Sequence, residues 1–558
     1  MRFFIKSIKK YIWYGLILLQ SGLLIDLDPA AAQGDAVIIY DVVVYGGTSS
    51  GIIAAVQTAR MRKSVVLIEA GRHLGGLTSG GLGQTDIGNK KAIGGMAREF
   101  YNRVHKHYNI ENAWIYEKRE DFRDGARDWD EEKAWWQFEP SVAENVFKEM
   151  IAEASIPVFL NERLDLKDGV TKESNRLTSI RMESGKVFYG KVFIDASYEG
   201  DLMAIAGVSY TVGRESNSEY GEKLNGVQTK NAIYHQLMDF VSPYIEPGNP
   251  TAGLLPGIDP AGPGEEGSGD MRVQAYCFRM CLTDIPENKI SFEKPDGYDP
   301  LQYELLLRNF EAGENRVPWH SSRMPNRKTD TNNNMGVSTD YIGQNYHWPG
   351  VDYATREKIY KLHLIYQQGL VWTLANHPRV PEKIREEVQR WGLAKDEFLD
   401  NGHWSHQLYI REARRMVSDY IMTEHNCRGT RTAPRAIGLA AYTMDSHNVQ
   451  RYIDASGYVK NEGDVQIGGF VPYPIDYFSI VPKTEECSNL IVPVCLSASH
   501  IAFGSIRMEP VFMVLGQSAA IAAALAIDDD ITVQDVPYQK LMNHLVIAEQ
   551  ILELKDDR

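Results

Sequence analysis

The stretch YDVVVYGGTSSGIIAAV, residues 40–56, constrains the fold of this 558-residue chain more than any other segment. Its first half, DVVVYG, is a continuous β-branched run of the kind found in buried parallel strands. The following SGIIAAVQTARM has apolar residues at helical spacing, and the apolar run SVVLIEA then ends on Glu69. We therefore predict a strand–helix–strand unit over residues 41–69, with a glycine-rich turn between the first strand and the helix.

The glycine turn departs from the usual G-x-G-x-x-G pattern at its middle position. Gly46 and Gly51 hold the outer positions, Thr48 replaces the middle glycine, and Gly47 stands one place before it. Main-chain N–H groups in such a turn, together with the helix N-terminus, bind a pyrophosphate. Glu69, 23 residues after Gly46, is placed to bind a ribose hydroxyl pair and disfavours a 2′-phosphate. We predict a dinucleotide site in which Thr48 has a negative φ, with its side chain turned away or its hydroxyl donating to a phosphate.

A second glycine-rich segment, AGRHLGGLTSGGLGQTD at residues 70–86, distinguishes FAD from NAD. An NAD domain has no reason for such a segment after the ribose acid, whereas in an FAD domain the chain passes along the pyrophosphate towards the flavin. The stretch with Gly75 and Gly76 resembles the double-glycine motif of FAD proteins in the glutathione-reductase superfamily. VFIDASYEGDL, residues 192–202, resembles the later strand motif of that superfamily. We therefore expect FAD as the cofactor.

Further segments resemble the FAD-dependent oxidoreductase family across residues 41–525, and the chain is similar to its exported bacterial members. These segments are GGTSSGIIAA, GGLTSGGLGQTD, IGGMAREFY, DASYEGDLMAIAGVSYTVGRE, REARRMVSDYIMT and SASHIAFGSIRMEPVFMVLGQSAAIAAA. The resemblance implies an α/β fold, with a glutathione-reductase-type, Rossmann-like FAD-binding domain interrupted by a second α+β substrate or cap domain. We expect the FAD-binding domain at residues 38–215 and 431–545 and the cap domain at residues 216–430. The resemblance implies non-covalent FAD and redox chemistry and leaves the substrate open.

The predicted FAD contacts come from the glycine turn, the stretch after the second strand, and the N-terminus of the last long helix. That helix is predicted to begin near Arg507–Pro510, because proline suits a first helical turn. By resemblance to similar flavoproteins, its N-terminus faces the N1/O2 edge of the flavin; alternatively, Glu509 is only a helix cap. The candidate FAD contacts are Gly46, Gly47, Thr48, Ser49, Ser50, Gly51, Glu69, Ala70, Gly71, Gly75, Gly76, Met508 and Glu509.

His500 and Arg507 are the candidate catalytic residues. His500 follows the strand-like run NLIVPVCLSAS, which predicts a position at a strand end beside the flavin. A histidine there is a candidate base for a hydroxyl or amine proton. Arg507 is a candidate for binding an anionic substrate or for stabilising reduced flavin. The alternative for His500 is a structural role, with a hydrogen bond to a backbone carbonyl.

The cysteines restrict the redox chemistry of the chain. They are Cys277, Cys281, Cys427, Cys487 and Cys495. None forms a C-x-x-C pair, so we expect no iron–sulfur cluster, no zinc ribbon and no other metal site. The redox-active pair of disulfide reductases and a second glycine turn for NADPH are also missing. VQAYCFRMCLT predicts a strand, in which positions four apart are about 13 Å apart, too far for a disulfide, so we expect buried free cysteines.

The first 32 residues differ in kind from the rest of the chain. A basic start is followed by the apolar YIWYGLILLQSGLLI and the small-residue AAAQ. This pattern predicts a secretory signal peptide at residues 1–32, with an uncleaved anchor as the alternative. We expect a periplasmic or secreted protein with no stable membrane span after cleavage. The net charge of −15, without a basic stripe, makes nucleic acid a poor partner.

The expected function is hydride transfer between flavin N5 and a small polar organic substrate, with an electron acceptor or donor that the sequence does not identify. Carbohydrate is one candidate class, because aromatic side chains of the middle region suit sugar stacking or, alternatively, fill the core. These residues are Trp319, His320, Trp348, Trp372 and Trp404. The alternative functions are a flavin-dependent reductase fed by an electron-donor partner and a non-catalytic FAD-binding protein.

Overall fold

A computed structural model of the protein describes residues 38–122 and 133–554. The predicted signal peptide, residues 1–32, lies outside these described residues. Ile39–Arg558 form one compact unit. The domain boundaries expected after residues 215 and 430 therefore stay predictions.

A seven-stranded sheet runs through the part of the protein that is predicted to bind FAD. Its strands are β1 (Ile39–Tyr45), β2 (Val65–Ile68), β3 (Val158–Phe159), β4 (Val170–Glu173), β5 (Arg176–Arg181), β6 (Val187–Asp195) and β20 (Leu490–Ile491). β3, β2, β1, β6 and β20 run parallel in that spatial order, and β5 and β4 extend from the first half of β6 as an antiparallel hairpin. Parallel strands are covered on both faces, which explains their continuous apolar runs. The predicted α/β fold is confirmed.

A second sheet, antiparallel and five-stranded, lies within residues 280–394. Its strands are β8 (Met280–Thr283), β9 (Lys289–Ile290), β10 (Trp319–Met324), β11 (Lys328–Asn333) and β12 (Gly392–Ala394), in the order β10-β11-β8-β12-β9. The strand predicted over VQAYCFRMCLT begins only at Met280, so Cys281 lies in it and Cys277 precedes it. All five cysteines are buried and free, as predicted.

Four antiparallel strand pairs complete the described β-structure. They are β7 (Tyr210–Val212) with β13 (Arg414–Met416), β14 (Ala436–Ala440) with β19 (Tyr473–Asp476), β15 (Met444–Ser446) with β18 (Val465–Ile467), and β16 (Gln450–Ile453) with β17 (Val459–Glu462). The pair β7–β13 joins the stretch after β6 to a segment about two hundred residues later in the chain.

The described residues contain twelve α-helices. They are α1 (Ser49–Arg60), α2 (Gly95–Tyr108), α3 (Pro140–Glu153), α4 (Asp201–Ile205), α5 (Asn217–Tyr220), α6 (Glu304–Glu311), α7 (Tyr353–Asn376), α8 (Glu382–Arg390), α9 (Glu424–Cys427), α10 (His500–Ile506), α11 (Glu509–Asp529) and α12 (Tyr538–Ile547). Pro140 begins α3, because a proline at the first helical position lacks only an N–H that the helix would leave unpaired.

Helices α1 and α11 pack against each other at glycines. A Cβ at Gly516 would lie 2.2 Å from the main-chain oxygen of Ser50, and a Cβ at Gly51 would lie 1.9 Å from that of Gly46. Gly516 therefore permits the close packing of α11 on α1, and Gly51 permits the close approach of α1 to the glycine turn. Among the described residues, α11 is the one helix long and apolar enough to cross a membrane, and 94% of its most apolar window is buried inside the protein, as in a core helix.

His500 is not at the end of a strand, so that prediction is wrong. β20 ends at Ile491, and His500 is the first residue of α10, which the side chain of Ser499 caps. A serine at this position satisfies an orphan N–H and begins a helix at the end of the apolar run. The predicted start of the last long helix near Arg507–Pro510 is confirmed, with Glu509 as its first residue.

The packing of α1 against α11 predicts the effect of Gly516→Ala. The added methyl would overlap the main chain of Ser50, so we expect the free energy of unfolding to fall by about 1–3 kcal/mol. Gly350→Ala is the matched control, because no atom lies within 4 Å of a Cβ there and its effect should stay within about 0.5 kcal/mol. Urea denaturation measures both, and equal losses in the two variants would contradict the close contact.

Candidate cofactor and substrate sites

A cavity of about 240 Å³ lies at the carboxyl edge of the parallel sheet, where β1, β2 and β6 end. Ligands bind at this edge in open α/β sheets. Six predicted contacts line it: Gly46, Thr48, Glu69, Ala70, Gly71 and Gly76. Other lining residues are Ser197, Tyr198, Glu199 and Asp201 after β6, and Trp348, Tyr353 and Arg356 from the middle region. The remaining predicted contacts lie outside the lining: Gly47, Ser49, Ser50, Gly51, Gly75, Met508 and Glu509.

The glycine turn is closed tightly around Thr48. Gly46 has φ +102°, and a Cβ there would lie 2.7 Å from main-chain atoms of Ala196 and Ser197. Thr48 has φ −68°, as predicted, and caps α1 with its hydroxyl oxygen, which accepts from Gly51 N at 3.3 Å. The same hydroxyl donates to the Ala196 carbonyl at 2.8 Å. Its single proton is therefore used within the protein, so the hydroxyl is not free to donate to a phosphate.

Glu69 lies directly after β2 with its carboxylate fixed by main-chain donors. Oε2 accepts from Gly47 N and Oε1 accepts from Gly71 N, both at 2.6 Å. Burial raises the pKa of Glu69, and these two N–H groups oppose the rise. The carboxylate lines the cavity at the place predicted for ribose binding, and each oxygen keeps a lone pair for a hydroxyl donor.

The double glycine packs directly on the glycine turn and on Tyr198. Gly75 N donates to the Gly47 carbonyl at 2.7 Å. Gly76 has φ +56°, and a Cβ there would lie 2.3 Å from the hydroxyl oxygen of Tyr198. The HLGG segment therefore runs beside the turn, and neither of its glycines has room for a side chain.

These residues fit a dinucleotide. Gly46 and Gly76 leave a cradle that a Cβ would fill, and Thr48 brings the N-terminus of α1 to the cavity. Glu69 supplies acceptors for ribose hydroxyls. Pockets that hold drug-sized ligands measure about 300–1,000 Å³, so a cavity of about 240 Å³ suits the nucleotide end of FAD rather than the whole molecule.

The middle region closes one wall of the cavity through Arg356 on α7. Its guanidinium forms a bidentate ion pair with Asp201, with N–O distances of 2.5 and 2.8 Å. Burial would raise the pKa of Asp201, but Arg356 holds it below its usual value. Burial raises the pKa of Glu199 to about 7, and Arg356 opposes this rise. Sequence reasoning missed all three residues, although the DASYEGD motif contains two of them.

Glu509 joins the N-terminus of α11 to three other segments. Its Oε2 accepts from Ser49 Oγ at 2.6 Å and from Thr78 Oγ1 at 2.7 Å, and its Oε1 accepts from the Tyr198 hydroxyl at 2.7 Å. Burial raises the pKa of Glu509, and the three hydroxyls oppose the rise. Met508 is the N-cap of α11, so the interpretation of Glu509 as a helix cap is wrong. The N-terminus of α11 adjoins the cavity through Tyr198.

His500 and Arg507 lie outside the cavity lining as well. His500 Nδ1 is 2.8 Å from Glu412 Oε2, and its Nε2 is 3.0 Å from Ser446 Oγ, so its ring contacts side chains rather than a backbone carbonyl. Arg507 Nη1 donates to the Tyr409 hydroxyl at 3.1 Å. His500 and Arg507 therefore contact different side chains of the protein. Both catalytic roles stay predictions.

The position of Glu69 predicts that its removal weakens FAD binding. Hydrogen bonds to charged groups contribute about 1.5–3 kcal/mol, so Glu69→Ala should raise the dissociation constant of FAD at least about tenfold. Glu357→Ala is the control, because Glu357 lines the same cavity but is exposed and pairs with Arg163 at 2.7 Å. Flavin fluorescence titration of the apoprotein measures both constants, and an unchanged constant in Glu69→Ala would refute the ribose role.

Comparison with known structures gives partial matches to flavoproteins. L-amino acid deaminase from Proteus vulgaris is 14% identical over 38% of this chain and 57% of its own, with a TM-score of 0.22. A flavin-containing monooxygenase from Stenotrophomonas maltophilia is 16% identical over 34% and 44%, with a TM-score of 0.19. OxyS anhydrotetracycline hydroxylase from Streptomyces rimosus is 12% identical over 38% and 40%, with a TM-score of 0.22. The chain thus spans less than two thirds of each of these proteins.

The family comparison covers nearly the whole described chain. Residues 41–545 match the family described as FAD dependent oxidoreductase. No curated protein matches the chain. The matched range includes the glycine turn, the double glycine, the stretch after β6 and helix α11. The chain belongs to the FAD-dependent oxidoreductase family, and FAD is its cofactor.

Proposed function

We propose that the protein is a dehydrogenase that removes a hydride from a small polar molecule of the sugar or polyol class. The observation that supports this proposal is a group of buried arginines around one tyrosine ring. The guanidinium carbons of Arg411, Arg279 and Arg507 lie 4.4, 5.6 and 5.8 Å from the centre of the Tyr409 ring. We call these four residues the Tyr409 cluster.

Each arginine of the Tyr409 cluster has a buried nitrogen donor without a hydrogen-bond partner. Within the described part of the chain, Arg279 Nη1, Arg411 Nε and Arg507 Nε are buried and have no hydrogen-bond partner. Leaving a buried donor unpaired costs about 1–3 kcal/mol each. Three such donors beside one ring favour a ligand with several oxygen acceptors.

Aspartates compensate the positive charge of the Tyr409 cluster. The pairs are Arg279 with Asp330 at 2.7 Å, Arg411 with Asp340 at 2.9 Å and Arg507 with Asp445 at 3.5 Å. A further carboxyl group, Asp86, accepts from the Tyr442 hydroxyl at 3.3 Å, and burial raises the pKa of Asp86. The cluster therefore combines free N–H donors with nearby carboxyl acceptors and little net charge.

This combination favours hydroxyl groups over a carboxylate. A hydroxyl both donates and accepts, so it can pair with guanidinium N–H groups and with aspartate oxygens together. A substrate carboxylate only accepts, and Asp445 and Asp86 would repel it. The predicted role of Arg507 in binding an anionic substrate is therefore less favoured than a role in binding a polyhydroxylated molecule.

The Tyr409 cluster adjoins the cofactor cavity through Tyr198. Tyr198 lines the cavity and donates to Glu509 on α11. Burial, followed by the charge of Glu509 and by the nearby Tyr409, raises the pKa of Tyr198. Arg507 immediately precedes the N-cap of α11. When bound, FAD supplies the hydride acceptor, and the chain's part is to bind and orient the substrate beside it.

The cysteines support a dehydrogenase rather than a thiol–disulfide enzyme. All five are buried and free. Burial raises the pKa of Cys277 to about 11 and that of Cys427 to about 12. A reactive cysteine needs an accessible thiolate, which is the opposite environment.

We also propose that the protein acts in the periplasm or outside the cell and passes its electrons to a separate acceptor. The basic start, the apolar run and the small residues of positions 1–32 support export. The net charge of −15 is consistent with a small-molecule substrate rather than nucleic acid.

An anaerobic substrate screen tests the dehydrogenase proposal. We expect the visible flavin absorption of the FAD-loaded protein to bleach with an aldose or a polyol, because hydroxyl groups match the donors and acceptors of the Tyr409 cluster. Hydroxy acids and amines at equal concentration should bleach it more slowly, and dithionite gives the fully reduced reference.

Two outcomes would contradict the proposal. Bleaching by hydroxy acids alone would point to an anionic substrate and to a net positive site. Absence of bleaching by any organic donor, together with oxidation of a reduced dye in the presence of an acceptor, would point to a reductase that a partner supplies with electrons.

A further inference from the structure

We propose that His447, oriented by Asp340, is the general base that takes the hydroxyl proton of the substrate. This inference rests on the proposed function, because it needs an alcohol as the hydride donor. His447 follows β15, and sequence reasoning assigned it no role. Nothing in its neighbourhood along the chain distinguishes it, and its partners come from segments far away in sequence.

The hydrogen bond of His447 to Asp340 fixes which ring nitrogen is free. Nδ1 lies 2.9 Å from Asp340 Oδ2. Burial would raise the pKa of Asp340, but Arg411 and His447 hold it below its usual value, so Asp340 is an ionised acceptor. Nδ1 must therefore carry the proton of a neutral ring, and Nε2 carries the lone pair.

The free nitrogen of His447 faces the Tyr409 cluster. Nε2 lies 3.6 Å from Asp445 Oδ2, which is beyond hydrogen-bond distance. Asp445 is also 3.5 Å from Arg507, and its side chain is 20% exposed, so this side of the ring is reachable. The lone pair of His447 is thus available to a substrate hydroxyl held by the Tyr409 cluster.

Carboxylates lie beside both ring nitrogens of His447. Asp340 and Asp445 flank the two ring nitrogens, and each carboxylate is itself paired with an arginine of the Tyr409 cluster. Burial would raise the pKa of Asp445, but His447 and then Arg507 lower it to about 2, so it remains ionised.

His500 lacks this availability. Its Nε2 is engaged with Ser446 Oγ at 3.0 Å and its Nδ1 with Glu412 at 2.8 Å. Its side chain is 2% exposed. These contacts tie the start of α10 to β15 and leave no ring nitrogen for a substrate, so His500 is a structural residue in this proposal.

The proposed step balances as the oxidation of an alcohol to a carbonyl compound. The C–H bond at the alcohol carbon breaks, and FAD, when bound, would accept its hydrogen together with both electrons of that bond. The O–H bond breaks, and its proton goes to His447 Nε2. The electrons of the O–H bond form the second carbon–oxygen bond of the carbonyl product.

The test compares His447→Gln with His235→Gln. His235 is a nearby partly exposed histidine that binds Asp464 at 2.6 Å and lies outside the Tyr409 cluster. Anaerobic stopped-flow bleaching with the best alcohol from the screen gives the rate constant of flavin reduction. We expect His447→Gln to lower it about 10²–10⁴-fold, with FAD content and dithionite reduction unchanged, and His235→Gln to leave it near the wild-type value.

A second variant separates a base from a structural residue. His447→Ala removes the imidazole, and added imidazole should restore part of the bleaching rate in this variant and in no other. A structural role would not respond to free imidazole, because packing is not repaired by a mobile base. Rescue that increases with the concentration of unprotonated imidazole is the expected result.

Several results would overturn the inference. They are an unchanged bleaching rate in His447→Gln, absence of imidazole rescue in His447→Ala, and loss of FAD from these variants. If the wild-type protein is bleached by an alcohol and His447→Gln bleaches equally fast, the inference fails and the proposed function stands. If no alcohol bleaches the wild-type protein, the proposed function fails and the inference fails with it.

Discussion

The arrangement of the cofactor cavity and of the Tyr409 cluster depends on the hydrogen bonds that the buried carboxylate of Glu509 accepts. A buried carboxylate is costly unless donors surround it, and hydroxyls from three other segments meet that need. Ser49 belongs to the first turn of α1, Thr78 to the glycine-rich segment, and Tyr198 to the stretch after β6. Satisfying this one group therefore fixes three distant parts of the chain against the start of α11.

The close approach of these segments requires glycine at several contacts. Gly516 brings α11 against Ser50, and Gly76 brings the HLGG segment against Tyr198. Further along the same segment, a Cβ at Gly81 would lie 3.0 Å from Cβ of Arg279, a residue of the Tyr409 cluster. The second glycine-rich segment thus has two neighbours, the cofactor cavity and the Tyr409 cluster. Because the segment approaches residues closely at both places, many of its positions require glycine.

The local residue pattern was sufficient to predict the secondary-structure elements that depend on residues close together in sequence. The β-branched run of β1, the apolar spacing of α1 and the proline in the first turn of α11 each specified an element where the structure has it. The acid after β2 was found because its spacing from the glycine turn is fixed by the strand–helix–strand unit. A strand was predicted over NLIVPVCLSAS, but β20 covers only Leu490–Ile491 and ends nine residues before His500. An apolar run of this length is equally consistent with a strand or with a buried turn leading into a helix.

The candidate site was predicted only where its residues are neighbours in sequence. The glycine turn, Glu69 and the double glycine lie within about thirty residues of one another, as the strand–helix–strand unit requires. The ion pair of Arg356 with Asp201 joins positions 155 residues apart, and the bond of His447 to Asp340 joins positions 107 apart. Such contacts depend on how segments far apart in the chain pack together, and no local spacing encodes that.

The two histidines show why position along the chain is a weak guide to catalysis. His500 stands beside the family's most recognisable helix, yet its partner Glu412 also lies 3.9 Å from Arg415, which shares that carboxylate. His447 directly follows β15, and an ionised carboxylate lies beside each of its ring nitrogens. Nδ1 is within hydrogen-bond distance of Asp340, whereas Nε2 is beyond hydrogen-bond distance of Asp445. Acceptance of a proton requires both a free lone pair and stabilisation of the charge that follows. His500 has both ring nitrogens engaged, whereas His447 keeps Nε2 beyond hydrogen-bond distance of Asp445. The proposal of His447 as the base therefore rests on the partners of the ring and not on its distance from the cofactor motif.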